Sequence, residues 1–153
     1  MSKRPNILFI MIDDHAVQAI CACGSVVNTT PNLDRIAAGG AVFDNSFCCN
    51  SMCAPSRASI ITGKHSHING QFRLLEKFDG SQMTLPKEMQ AAGYPTSIFG
   101  KRHLNSDPTG FDTWGILPGQ GNYYSPEFIT PEGSFTVNGS YFGTLRARHY
   151  IPF

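Results

Sequence analysis

Charge of either sign is scarce in this chain. Asp, Glu, Lys and Arg make up 15% of 153 residues and leave a formal net charge of +1. No basic or acidic run would draw it onto nucleic acid or an anionic membrane, and neither is expected as a partner. Long apolar runs are lacking too. The densest, Ile7-Leu8-Phe9-Ile10-Met11-Ile12, is cut off by Asp13-Asp14, well short of the ~20 residues of a membrane span. It follows Lys3 and Arg4, but it is short for a signal-peptide core and no small-residue cleavage site comes after it. A cytoplasmic chain, and a periplasmic or secreted form cut from a longer precursor, both stay open. Cysteine is sparse and odd in number. The five, at 21, 23, 48, 49 and 53, include an adjacent pair, which does not suit a disulfide framework. As thiolate ligands for zinc, Cys21, Cys23, Cys48 and Cys49 fit no usual spacing; small buried or loop residues is the plainer reading of them.

Turn formers and apolar residues are plentiful. Fifteen glycines and ten prolines indicate a loop-rich layout, and 41% hydrophobic residues suffice for the core of one modest domain. The run from Asn6 to Ile12 predicts a core strand, apolar on both faces. Thr30-Pro31 predicts a helix start, with Leu33, Ile36 and Ala37 on one face and Gly39-Gly40 as its stop. Residues 41 to 47 predict a second strand, and 55 to 62 a short helix closed by Gly63. Pro86 to Ala92 predicts another helix, stopped by Gly93, and Pro95 to Gly100 a strand. Strands alternating with helices indicate an α/β sheet, mostly parallel and flanked by helices. Residues 105 to 138 are rich in Gly, Pro and aromatics with weak periodicity, and are expected to form a long ordered surface segment.

Three places carry chemistry. Asp13 and Asp14 directly follow the first strand, at the carboxyl end where open α/β sheets place their sites. Such a pair can give oxygen ligands to a hard cation, with further ligands from elsewhere, or can equally be a solvated turn. Cys53 and Arg57 lie one helical turn apart. A helix amino terminus and a fixed guanidinium together suit a sulfate or phosphate ester. The Cys-x5-Arg loop of cysteine phosphatases does not fit, because Ser59 stands six positions after Cys53. Lys101 and His103 lie just past a strand end. His15 follows the acidic pair, and His65 and His67 follow the second helix, where they could face a substrate pocket.

The stretch Ser51-Met52-Cys53-Ala54-Pro55-Ser56-Arg57-Ala58-Ser59-Ile60-Ile61-Thr62-Gly63 resembles the first signature of the type I sulfatases, arylsulfatase-like enzymes that include carbohydrate sulfatases such as glucosamine-6-sulfatase. Gly93-Tyr94-Pro95-Thr96-Ser97-Ile98-Phe99-Gly100-Lys101-Arg102-His103 is similar to their second signature, departing at Phe99, where a smaller residue is usual, and at Arg102, where Trp is usual. Arg4 to Asp14 and Thr30 to Arg35 resemble the family's first strand and first helix.

The resemblance implies an alkaline-phosphatase-like α/β fold and hydrolysis of sulfate esters, of sugars or of aryl groups. It implies that a formylglycine-generating or sulfatase-maturating enzyme oxidises Cys53 to formylglycine. One hydroxyl of the hydrated aldehyde would attack sulfur, and deprotonation of the other would expel sulfate. Asp13, Asp14 and Cys53 would be ligands of a divalent cation, usually calcium. Arg57 would hold the hydrate, Lys101 the sulfate oxygens, and His103 would assist breakdown of the intermediate. Residues 1 to 138 correspond to the amino-terminal part of such a domain, and residues 139 to 153 are expected to be an out-of-frame or truncated tail. Relatives with the same Cys-x-Pro-x-Arg pattern hydrolyse phosphodiesters or phosphonates, so that activity, or an inactive fragment, remains the alternative.

Overall fold

The structure is a computed structural model that describes residues 4–139. The chain divides into two units, Met1–Phe47 and Cys48–Phe153, and the expected tail, residues 139–153, lies outside the described residues from 140 onward.

The first unit holds two single-turn 3-10 helices, Val17–Ala19 and Cys21–Cys23, and one α-helix, α1 (Pro31–Gly39). Pro31 starts α1, where its missing N–H costs nothing. The hydroxyl of Thr30 does not cap the helix backbone as expected. It donates to Asp34 Oδ1 (3.1 Å) and accepts from the Cys21 amide (2.8 Å). Asp34 Oδ1 also accepts from the Ala22 amide (2.9 Å), so the pair fastens the second 3-10 turn to the start of α1. Cys21 is part of the same fastening, its thiol donating to the Asn28 carbonyl (3.0 Å).

Neither expected strand of this unit forms. Residues 6–12 and 41–47 are without strand pairing, and Leu8 is 81% exposed. An apolar strand becomes a strand only when its N–H and C=O groups find neighbours, and no strand is described in this unit for them to meet.

The second unit contains α2 (Cys53–Thr62), the single-turn α3 (Ser66–Asn69), α4 (Leu85–Ala91) and strands β1 (Ser97–Gly100), β2 (Thr113–Ile116), β3 (Glu127–Thr130) and β4 (Gly133–Thr136). Helix α2 buries Ala54, Pro55, Ala58 and Ser59. Ala54 and Ala58, four apart, make a flat stripe that lets Phe78 and Leu104 pack closely, with Ile61 and Leu74 at the margin. Gly63 ends α2 at φ 65, a conformation only glycine takes without strain.

The sheet runs in the order β1-β2-β3-β4. Strands β1 and β2 are parallel, from Ser97 opposite Thr113 to Gly100 opposite Ile116. The β2–β3 and β3–β4 pairs are antiparallel, so the sheet over the described residues is mixed. Phe128 and Phe135 face each other across the last pair and stack at 5.6 Å. The segment expected as surface from 105 onward thus supplies three of the four strands and buries Ile116, Leu117 and Phe128. Each strand is four residues long, too short for a two-residue period to stand out in the sequence.

Candidate active site

Cys53 is the first residue of α2, with Met52 in extended conformation before it. The thiol is half-buried at the helix's positive end. Its neighbour Pro55 is fully buried. One turn on, the Arg57 guanidinium donates through Nη1 to the main-chain carbonyl of Lys101. The Lys101 ammonium comes back to the start of the helix, with Nζ 3.7 Å from Cys53 Sγ. Three residues separated by up to 48 positions thus close a small ring: thiol, ammonium, carbonyl, guanidinium.

Lys101 follows β1, whose last residue Gly100 has φ 94 and whose carbonyl accepts from Leu117 N–H (3.0 Å). Beyond the strand, His103 (φ 52) and Asn105 (φ 51) both hold left-handed backbone. Such conformations persist in non-glycine residues where surrounding contacts over-determine them. Those contacts are visible here. The buried Leu104 between the two anchors the turn in the core and gives its carbonyl to Phe78 N–H (3.0 Å). Asn105 Nδ2 donates to the carbonyls of Leu74 (2.8 Å) and Glu76 (3.4 Å). His103 itself is 5% exposed.

The loop that receives Asn105 is built from its own polar groups. Gln71, 1% exposed, donates to the carbonyls of Arg73 (2.8 Å) and Glu76 (3.1 Å). The Glu76 carboxylate accepts from the amides of Phe72 and Arg73 (2.6 and 2.8 Å). Just before β1, Asp112 braces Thr96, accepting from its amide (2.7 Å) and hydroxyl (3.2 Å). Those bonds, the Thr96 amide first, hold the Asp112 carboxyl below its ordinary range.

The other expected site residues stand differently. His65 and His67 are exposed and stack on one another at 5.7 Å; the stacked pair is their own arrangement, and neither has a described contact to Cys53. Asp13 and Asp14 belong to the first unit, both exposed, Asp14 with left-handed φ 54. Their carboxylates are the hard oxygen donors calcium prefers, but they are two, and calcium takes roughly 6–8. Among the described residues no three His, Cys, Asp or Glu gather as a metal cluster. The donor chemistry fits and the donor number falls short. Cys21, Cys23, Cys48 and Cys49 are divided between the two units, and all described cysteines are free thiols.

Two residues of this turn were not legible as contributors. Asn105 carries no motif, and its role comes from bonds to a loop some thirty positions away. Arg102 showed only as a departure from the usual Trp. Its side chain turns inward, is 4% exposed, and donates to the Ser106 carbonyl and hydroxyl.

Comparison with known proteins identifies the family. The sulfatase family model matches residues 5–143. An N-acetylglucosamine-6-O-sulfatase of Bacteroides thetaiotaomicron is 52% identical over 130 residues, which are 83% of this chain and 23% of that protein. Human N-acetylgalactosamine-6-sulfatase is 35% identical over 131 residues, 73% of this chain and 25% of that protein. The chain therefore spans about a quarter of the length of the curated relatives it matches. Among solved structures, one in complex with its substrate D-glucosamine-2-N,6-O-disulfate superposes with a TM-score of 0.87 at 48% identity, covering 90% of this chain and 28% of the other. A second, in complex with a neocarrahexaose, gives 0.68 at 28% identity over 74% of this chain and 28% of its own. The mixed sheet with its flanking helices is accordingly part of an alkaline-phosphatase-like α/β fold. With its signature helix, its strand-end lysine and the family match over residues 5–143, the chain belongs to the sulfatase family.

Proposed function

We propose that this chain supplies the nucleophile's side of a site that hydrolyses sulfate esters, with a sulfated amino sugar as substrate. The observation that carries this is the 3.7 Å approach of Lys101 Nζ to Cys53 Sγ at the amino terminus of α2. A thiol is a poor choice for that place if it is to work as a thiol, because it would leave a sulfur–sulfur adduct to resolve. The Sγ atom stands in for the oxygens of a formylglycine hydrate at residue 53, installed by a formylglycine-generating or sulfatase-maturating enzyme. Formylglycine supplies one hydroxyl to attack sulfur and a second whose deprotonation releases sulfate.

The chain's own residues then have distinct tasks. Lys101 places an ammonium where the sulfuryl oxygens gather negative charge. The dipole of α2 adds to it. Arg57, bonded to the Lys101 carbonyl, fixes the strand end against the helix and adds a second, permanent cation. His103 is held by its buried turn, and its imidazole would take or return the proton as the intermediate breaks down. Asp13, Asp14 and residue 53 would contribute ligands to calcium, which supplies further neutralisation of the sulfuryl group. His65 and His67 would border the sugar. The substrate class rests on similarity to the relative solved with a glucosamine disulfate.

The test is mass spectrometry of the peptide containing Cys53, after expression beside a competent maturase. Conversion lowers its mass by about 18 Da, sulfur being exchanged for oxygen with loss of two hydrogens. Unmodified cysteine throughout would count against the reading. Paired assays on aryl sulfate and aryl phosphonate esters then separate sulfatase from phosphonate or phosphodiester hydrolysis, and absence of both marks an inactive chain.

A further inference from the structure

His103 and Asn105 both hold left-handed backbone, and Leu104 between them is a core residue. Glycine takes such a backbone with less strain than asparagine does, so the conformation alone does not call for this side chain at 105. Its amide does something a glycine cannot. Asn105 Nδ2 donates to the carbonyls of Leu74 (2.8 Å) and Glu76 (3.4 Å), 31 and 29 positions upstream. The Phe78 amide donates to the Leu104 carbonyl (3.0 Å). Both residues after His103 are thereby tied to one loop.

That loop is fixed in turn to the helix that carries Cys53. Asn69, 4% exposed, donates through Nδ2 to the Lys64 carbonyl (2.9 Å), just past the end of α2, and to Ser59 Oγ on α2 itself (3.5 Å). Its Oδ1 accepts from the Gln71 amide (2.9 Å), and Gln71 Nε2 donates to the carbonyls of Arg73 and Glu76. The Glu76 carbonyl is shared by Gln71 and Asn105. A line of amide side chains, Asn69, Gln71 and Asn105, thus runs from α2 to the turn of His103. Each bond is neutral and modest in net strength, but a satisfied polar network specifies one arrangement where apolar packing alone tolerates several.

We propose that Asn105 is a positioning residue for His103, setting the imidazole relative to α2 by registering its turn on the loop that α2 holds. Asn105 touches no reacting atom in this role, since its amide is occupied by Leu74 and Glu76. That His103 acts in breakdown of the intermediate rests on the proposed function; that Asn105 fixes the ring does not.

The test uses the full chain, unconverted at Cys53 and labelled with nitrogen-15 and carbon-13 for magnetic resonance. Asn105→Gly keeps the left-handed backbone and removes the donor. The His103 ring signals should shift and broaden, and exchange of the Phe78 amide should quicken about fivefold or more, the size of one neutral hydrogen bond. The rings of His65 and His67, exposed in the same unit, should stay where they are. Asn105→Asp, which also tolerates this backbone but sets a carboxylate against two carbonyls, should move the same signals further. In the maturated, full-length protein the two variants should lower kcat for an aryl sulfate in that order and leave KM within about twofold, the pattern of lost placement rather than lost binding. Wild-type ring signals and wild-type Phe78 exchange in Asn105→Gly overturn the proposal, leaving the residue a matter of backbone alone. Equal movement of all three rings overturns it too, because that is loss of the unit's fold. So does an unchanged kcat in an active parent. If the rings behave as expected and the parent does not hydrolyse aryl sulfate, the sulfatase reading fails and the placement of His103 by Asn105 stands.

Discussion

Lys101 and Cys53 are 48 positions apart in sequence and 3.7 Å apart between Nζ and Sγ. The contact depends on two separate alignments. Helix α2 must dock through Ala54 and Ala58 onto Leu104, and the end of β1 must be held by Arg57. The same core residue, Leu104, follows His103 directly, so helix docking and histidine placement are one packing event.

Replacing Lys101 by Ala in the maturated, full-length protein should lower kcat/KM for an aryl sulfate about 100- to 1,000-fold, the usual effect of deleting one group that stabilises transition-state charge. The half-buried lysine packs no core, so the melting temperature should move little. Steady-state kinetics beside a thermal melt checks both halves; a large loss of stability would assign the residue to the fold instead.

Leu104→Ala should cost about 2–5 kcal/mol, because the residue is 1% exposed and leaves a hole facing Ala54, Ala58 and Phe78. Chemical denaturation of the two proteins measures this. Small helix residues cannot close the gap from their side, so the upper part of the range is expected.

Gly110→Ala should destabilise the chain by about 1–3 kcal/mol. Gly110 has φ +78, and a Cβ there would lie 2.6 Å from Lys87 Cγ and 2.9 Å from the Lys87 amide nitrogen. The lysine is not free to move aside, since its Nζ donates to the carbonyls of Gly80 (2.6 Å) and Gln82 (2.7 Å). Equilibrium unfolding decides it; an unchanged midpoint would mean that the close approach is relieved by backbone shift.

Asp112→Asn should destabilise the chain at neutral pH and have little effect in strong acid. The native carboxyl is held below its ordinary range by the Thr96 amide and hydroxyl and by Gln90. A depressed native pKa contributes stability above the unfolded value, and that contribution is lost as pH falls through the lower native value. Denaturation of both proteins across the acid range should show their difference shrinking towards low pH. A constant offset would mean that the bonds to Thr96 work without the charge.

The helices were legible because their ends are marked. Pro31, Pro86, Gly63 and Gly93 each stand within a residue or two of a helix boundary, and each acts through its own backbone angle. Strand β1 was legible from its β-branched and aromatic run. Strands β2 to β4 were not, because four residues give no periodicity and their pairing comes from residues far away. The run from Ile7 to Ile12 shows the opposite failure: a strand composition with no described neighbour to complete it. At the site, residue types and spacing pointed to Cys53, Arg57 and Lys101, whereas no pattern in one dimension said that Arg102 would be buried against Ser106 and Lys101 would turn back to α2.

Pro55 sets a timetable. It is fully enclosed once α2 is docked, and Arg57 is by then bonded to the strand end. Under the proposed conversion, an enzyme that reads Cys53, Pro55 and Arg57 as one extended pattern would find two of its three marks out of reach in the finished fold. Under that conversion the oxidation would have to precede docking of α2, while this stretch is still open chain.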